Sequence, residues 1–385
     1  MNIEHNISRI KYLIKLYRIT TEDFLIKISE GLKNPLTEKD VFGREIKISN
    51  LKRIDKLFNK GIEFYLNPKP INENKDASIF FRKDKFISEL NIGAKKIVNK
   101  FEDLKISLNA ISKLADIKIK RLIPIYNLTD NPVNVAEEIR EKLYPEEANP
   151  NLRDFLKQLI AKFAEYNIFV FEFIETWNKK DTANINGFFL NPNVIVLKRQ
   201  QKAFRREIFT LIHELGHYLL NEEEIEEVEV SSISKKDLTK IENWCNNFAY
   251  YFLIGDFKNT IDNIENATAS NDYNFNLIEH ISKETHLSTL ALFTRLLYSG
   301  KISRTNYQNV KDDLDYKYQQ KIDEEKKQKE LDKLAGIKRG GSVPKPINSP
   351  LFVNTLQSAL YGGIINEYDF CRQLNIKPDK IQQYI

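Results

Sequence analysis

The chain of 385 residues has two cysteines, Cys245 and Cys371, so no disulfide framework can hold it, and a reducing cytoplasm is the expected compartment. It has no apolar run near the roughly 20 residues that a membrane helix needs. The first twenty residues carry charge throughout, which argues against a secretory signal. Histidine is scarce as well, with five in the whole chain, so any cluster of them carries information. Hydrophobic residues make up 42% and charged residues 29%, enough apolar material for a large core and against global disorder. Secreted, membrane-spanning and fibrous classes are thereby set aside.

The net charge is +5, and residues 1–75 hold fifteen Lys and Arg against ten Asp and Glu. The excess therefore sits at the N-terminal end, a mild electrostatic pointer to nucleic acid there. An ordinary lysine-rich helical surface would have the same balance. Apolar spacing predicts helices over 5–17 and 20–30, the second capped by Thr20 or Thr21, and another over 49–59. Short helices separated by a break suit a helix-turn-helix module or a small bundle alike. Asn67 to Lys75 reads as a linker, followed by helices at 85–105 and 107–116.

Helices are then expected from Val135 to Leu143 and from Asn151 to Tyr166, and a strand over Ile168–Ile174. A hairpin is expected around Asn191-Pro192-Asn193, its strands Gly187–Leu190 and Val194–Leu197. If that hairpin flanks the cleft, its edge could take a peptide as an added strand. Two long helices, 203–221 and 236–254, follow with an acidic stretch between them, then a helical pair at 274–285 and 287–298. Residues 311–335 read as one exposed, charge-dense helix. Gly340-Gly341-Ser342 and the nearby prolines mark a linker before a short helical tail, which is expected to be separable from the metal site.

Chemistry concentrates at His213-Glu214-Leu215-Gly216-His217. On a helix, positions i and i+4 lie about 40° apart, so both imidazoles face one side and can ligate one Zn²⁺. Glu214 sits one step round, placed to take a proton from a water that zinc activates and pass it to a leaving amine. A third ligand must come from elsewhere. Glu222, Glu223, Glu224, Glu226, Glu227 and Glu229 form a run that reads as a solvated loop or helix end. Glu242 lies instead on a helix whose stripe continues through Asn246 and Ala249, and it is the favoured ligand. Asn246 could hydrogen-bond a ligand from behind, and the small Ala249 would let the two helices approach. Cys245 is the alternative ligand. His280 and His286 flank a helix break and read as surface or cap residues, with an oxyanion role as the sharper option. Arg205 and Arg206 are expected to bind carboxylates or line the approach.

The segment FRREIFTLIHELGHYLL followed by Glu242, Asn246, Phe248 and Ala249 resembles the ImmA/IrrE family of bacterial and phage metallopeptidases. Arg206, Phe209, Thr210 and His213 to His217 carry the first part of that likeness. Ile208, Ile212 and Cys245 stand where the family usually has other residues. The likeness extends over about 78–305, including Ile79-Phe80-Phe81-Arg82 and Arg295. It implies a zinc endopeptidase with a gluzincin-type site: His213, His217 and Glu242 on the metal, Glu214 as base. It also implies a repressor-like protein substrate and an N-terminal helix-turn-helix that contacts DNA. The alternative it raises is an antitoxin-like regulator that binds a cognate toxin.

The fold expected is α+β and mainly helical, a zincin-like core with a small sheet and helical modules at both ends. The divisions expected are 1–75, a peptidase domain over 76–305, a charged helix over 306–340, a linker over 341–350 and a tail over 351–385.

Overall fold

A computed structural model describes residues 2–70, 90–146, 151–175, 182–199, 204–223, 239–266, 274–337 and 345–385, together with the backbone of 225–227. The far end of the expected 67–75 linker, the start of the 85–105 helix, Ile79 to Arg82, Gly340 to Ser342, Glu224 and Glu229 lie outside the described residues. The chain divides into two compact units, 1–109 with 176–185, and 110–175 with 186–385.

The first unit opens with β1 (Asn2–Glu4), α1 (Ile7–Tyr17) and α2 (Thr21–Ser29), followed by α3 (Glu38–Phe42), β2 (Glu45–Lys47), α4 (Ile48–Phe58) and α5 (Ile62–Leu66). Thr20 caps α2 by accepting from the Asp23 N–H at 3.0 Å, as the sequence suggests. The two short strands pair antiparallel with Ile3 opposite Ile46, which propensity alone did not predict. Phe24 and Tyr17 pack against Phe58 at 5.8 and 5.0 Å between rings, joining three helices through one aromatic cluster. Helices α1 and α2 stand where the two short helices were expected, with the break at Arg18 to Thr20 between them.

Residues 92–114 form one continuous helix, α6 (Ile92–Leu114), where two were expected with a break near 106. No Gly or Pro stands between Gly93 and the helix end, so nothing forces a break.

The second unit contains α7 (Pro132–Leu143) and α8 (Leu152–Glu165), then β3 (Phe169–Ile174), β4 (Ile185–Leu190) and β5 (Val194–Arg199). Next come α9 (Phe204–Leu220), β6 (Ile225–Glu227) and α10 (Lys240–Ile254). Asn131 and Asn151 cap α7 and α8 through their side-chain oxygens. The sheet order is β3-β5-β4-β6, with β3 parallel and β4 antiparallel to β5. Alternation along the strands puts Val170, Phe189, Ile195 and Leu197 in one core cluster with Leu211, Leu215 and Leu219 of α9. The sheet is thus the floor on which the histidine helix rests.

The acidic run departs from expectation. Part of it is β6, and Glu223 is buried, accepting the Asn191 N–H at 2.8 Å. One carboxylate that satisfies a hairpin backbone group is worth more there than in water.

Downstream stand α11 (Lys258–Asp262), α12 (Phe275–Thr285), α13 (Thr289–Tyr298) and α14 (Arg304–Leu334), then α15 (Pro350–Tyr361) and α16 (Glu367–Leu374). In α14 only Val310 and Asp332 are buried, as the charge density suggests. The tail packs within the second unit. The Ile347 N–H donates to the Glu172 carboxylate, Phe352 meets Phe171 edge-on at 5.1 Å, and α15 packs on α8. The tail covers the sheet face opposite α9, where Phe171 would otherwise meet water.

Candidate metal centre

Helix α9 is buried on nearly every side, and His213, Glu214 and His217 are each 0% exposed. Buried imidazoles need partners, and the fold supplies them by crossing α10 over α9. The crossing is close because of Gly216. A Cβ added there would lie 3.0 Å from Cys245 Sγ and 3.1 Å from its Cα, which leaves no space for a larger residue. Cys245 therefore spaces the helices and is not among the converging donors. Gly216 makes a close approach that the sequence did not point to, and Ala249 is buried in the same core.

This crossing brings His213, His217 and Glu242 together, with one donor atom of each lying within 4.8 Å of the others. The two Nε2 atoms are 3.1 Å apart. Glu242 Oε2 is 3.2 Å from His213 Nε2, and Oε1 is 3.2 Å from His217 Nε2. Asn246, one turn beyond Glu242, accepts from His213 Nδ1 at 3.0 Å, which leaves Nε2 to face the cluster. Burial alone would push the Glu242 carboxyl up, but hydrogen bonds and charge from His213 and His217 outweigh it and hold it well below the usual range. Thr239 caps α10 and fixes its first turn, so Glu242 is delivered by a rigid element.

The donor set fits a small divalent ion. Tetrahedral zinc with bonds of about 2.0–2.2 Å places its ligand atoms roughly 3.3 Å apart, close to the 3.1 Å between the two imidazole nitrogens and to the 3.2 Å from each nitrogen to a Glu242 oxygen. Two imidazoles and one carboxylate, with no fourth side chain among the described residues, match a site with an open position.

Glu214 points toward the sheet. A Cβ on Gly187 of β4 would lie 3.2 Å from Glu214 Oε1, 2.7 Å from Thr210 Cγ2 and 3.0 Å from the Val196 carbonyl. A glycine at 187 is what allows α9 to lie this low over β4. The hairpin was legible from its turn, but the need for glycine at 187 was not, since it depends on a helix 23 residues away.

Other expected residues fall elsewhere. Arg205 donates to the Leu287 carbonyl at 2.6 Å, to the Ser282 hydroxyl at 3.0 Å and to the Ser282 carbonyl, tying the α12–α13 break rather than binding a carboxylate. Arg206 is exposed. His286 is buried against Phe155, 3.9 Å between rings, in a left-handed turn. Burial, with Arg205 and Arg140 nearby, pushes its pKa down to about 4. His280 is exposed beside Phe257. Neither joins the metal cluster.

A second buried cluster was not foreseen. Arg199 Nη1 lies 3.3 Å from Glu172 and 2.9 Å from Glu207, at the sheet end of α9. Its only signal in the sequence is the lone acid of the FVFEFI strand.

No helix among the described residues is long and apolar enough to cross a membrane. Comparison with curated proteins and with solved structures finds no match. Residues 165–258, which hold β3 to β5, α9 and α10, match the family model of the IrrE N-terminal-like domain, Peptidase_M78, and this segment is a metallopeptidase domain of that family.

Proposed function

We propose that the protein is a zinc endopeptidase in which His213, His217 and Glu242 hold the metal and Glu214 is the general base. The observation that carries this reading is the convergence of two imidazole Nε2 atoms, 3.1 Å apart, with a carboxylate whose oxygens each lie 3.2 Å from one of them, beside a buried glutamate on the same helix. Zinc bound there supplies Lewis acidity toward the scissile carbonyl and lowers the pKa of the attacking water. Glu214 accepts the water's proton and delivers it to the leaving amine, so the amine departs neutral. Asn246 keeps His213 in the tautomer that ligates, and Gly187 and Gly216 let sheet and helices close around the site. The hairpin's own edge, expected to take the substrate, is occupied, since β4 pairs with β6 and β5 with β3; an added substrate strand would pair with β6 at the sheet edge. A repressor-like protein as natural substrate rests on the family likeness. The DNA- and toxin-binding readings rest on the family likeness and on the charge balance of residues 1–75.

The test is Glu214→Gln. It should retain about one zinc per chain by elemental analysis. Cleavage of a proteome-derived peptide library should fall by about 10²–10⁴-fold. Full cleavage by the variant sinks the mechanism.

A further inference from the structure

Strand β3 ends the described sheet on one side, and its two faces meet different neighbours. Phe171 meets Phe352 of the tail, whereas Val170 packs in the core cluster with α9. Glu172 stands two residues on from Val170, so it shares the face toward α9. The tail reaches Glu172 as well, because the Ile347 N–H donates to Oε2. On the other oxygen, Oε1, the same carboxylate meets Arg199 Nη1 at 3.3 Å. That nitrogen is shared, and it lies nearer Glu207 of α9, at 2.9 Å.

The tail accounts for this asymmetry. Glu172 has a donor of its own in the Ile347 N–H and leaves the guanidinium to Glu207. All three side chains are buried, so none can turn to water instead. With that N–H removed, Glu172 would depend on Arg199 alone and draw the guanidinium away from Glu207. Glu207 lies seven residues before Glu214, about two helical turns, and so on the same stripe of α9. A Cβ on Gly187 of β4 would meet Thr210 and Glu214 from that side. The rotation of α9 over the sheet is therefore set at two points, Arg199 against Glu207 and Gly187 against Glu214. That rotation decides whether His213 and His217 face Glu242.

We propose that the C-terminal tail is a positioning strap for the metal helix, acting through the Ile347 N–H, Glu172, Arg199 and Glu207. Docked, it keeps Glu207 paired and the two histidines turned toward Glu242. This rests on the metal site of the peptidase reading. The opposing expectation is a tail separable from that site, which only covers Phe171.

The experiment uses the full-length chain and needs no substrate. Zinc affinity is measured by competition with a chelator, and Co²⁺ in place of zinc reports the ligand geometry through its visible absorption. Ile347→Pro removes the N–H and should weaken zinc about three- to tenfold, less than loss of a group that touches a ligand directly, and alter the Co²⁺ spectrum. Ile347→Ala keeps the N–H and should retain the wild-type affinity and spectrum. At the other end of the strap, Glu207→Ala should weaken zinc, and Glu207→Gln, which still accepts from Arg199, should restore most of the loss. Linkage is reciprocal, so saturating the wild type with zinc should slow amide hydrogen exchange in residues 345–361. That last measurement decides if Ile347→Pro fails to fold. Unchanged affinity and spectrum in Ile347→Pro, or exchange in 345–361 that ignores zinc in the wild type, overturns the strap alone. A wild type that takes up no metal overturns the metal site and the strap with it.

Discussion

Helix α9 carries two buried polar clusters, and they are built on opposite principles. At its start, Arg199 stands between Glu172 and Glu207, side chains 4%, 0% and 1% exposed, so a donor faces each acceptor. Two turns on, two imidazole nitrogens and a carboxylate converge on one point, with the His213 Nδ1 proton already committed to Asn246. The first cluster is closed by its own donors and acceptors. The second is held together only by added protons or by a cation, and in a buried site at neutral pH a cation is the stable solution. A buried charge network is thus a structural device where donors and acceptors alternate, and a ligand site where acceptors crowd together.

The comparison breaks hardest if each cluster loses its centre. Arg199→Met leaves two carboxylates buried side by side and should cost about 3–5 kcal/mol in urea unfolding. Zinc stoichiometry in the fraction that still folds should remain near one. Glu242→Ala should do the reverse, abolishing stoichiometric zinc by elemental analysis while the apo fold persists. A Glu242→Ala protein that retains one zinc per chain would show that the ligand set is wrong. Next in size is Asn246→Ala, which touches the metal only through His213. Loss of that support should weaken zinc about 10–100-fold in competition with a chelator.

The site was more legible than its setting, and the reason is range. His213 and His217 share one helical face with Glu214 one step round, and on the next helix Glu242 and Asn246 share another, so period alone ranks them. Strand β3 and the hairpin were legible for a similar reason, through β-branched residues and a turn. What failed depends on pairs far apart in the chain. Glu172 and Arg199 come together only because strand pairing places β3 beside β5. Glu223 looks solvated until the hairpin turn offers it the Asn191 N–H. The packing of the tail on strand β3 through Ile347 and Phe352 spans some 175 residues for the hydrogen bond. Gly216 sits inside the motif, yet its role follows from Cys245 across the helix crossing.

The smallest expected effect sharpens the contrast, because it asks how completely the closed cluster is neutralised. Burial pushes the Glu172 carboxyl up, while the Ile347 N–H and Arg199 pull against that shift without cancelling it. The folded protein therefore holds this proton more readily than the unfolded chain does. The stability this proton contributes is fully present below the unfolded glutamate value of about 4.3, and it is lost as pH rises through the higher folded value. Gln at 172 keeps an acceptor for the Ile347 N–H and cannot ionise. Glu172→Gln should thus be most unfavourable, relative to wild type, near pH 4. Toward pH 7 the deficit should narrow and stay well below the effect of Arg199→Met. Urea melts of both proteins across that range measure it. A deficit that grows with pH would mean that Glu172 is held as a charge, with Arg199 outweighing burial, and that the trio is an ion network rather than a cluster sharing a proton.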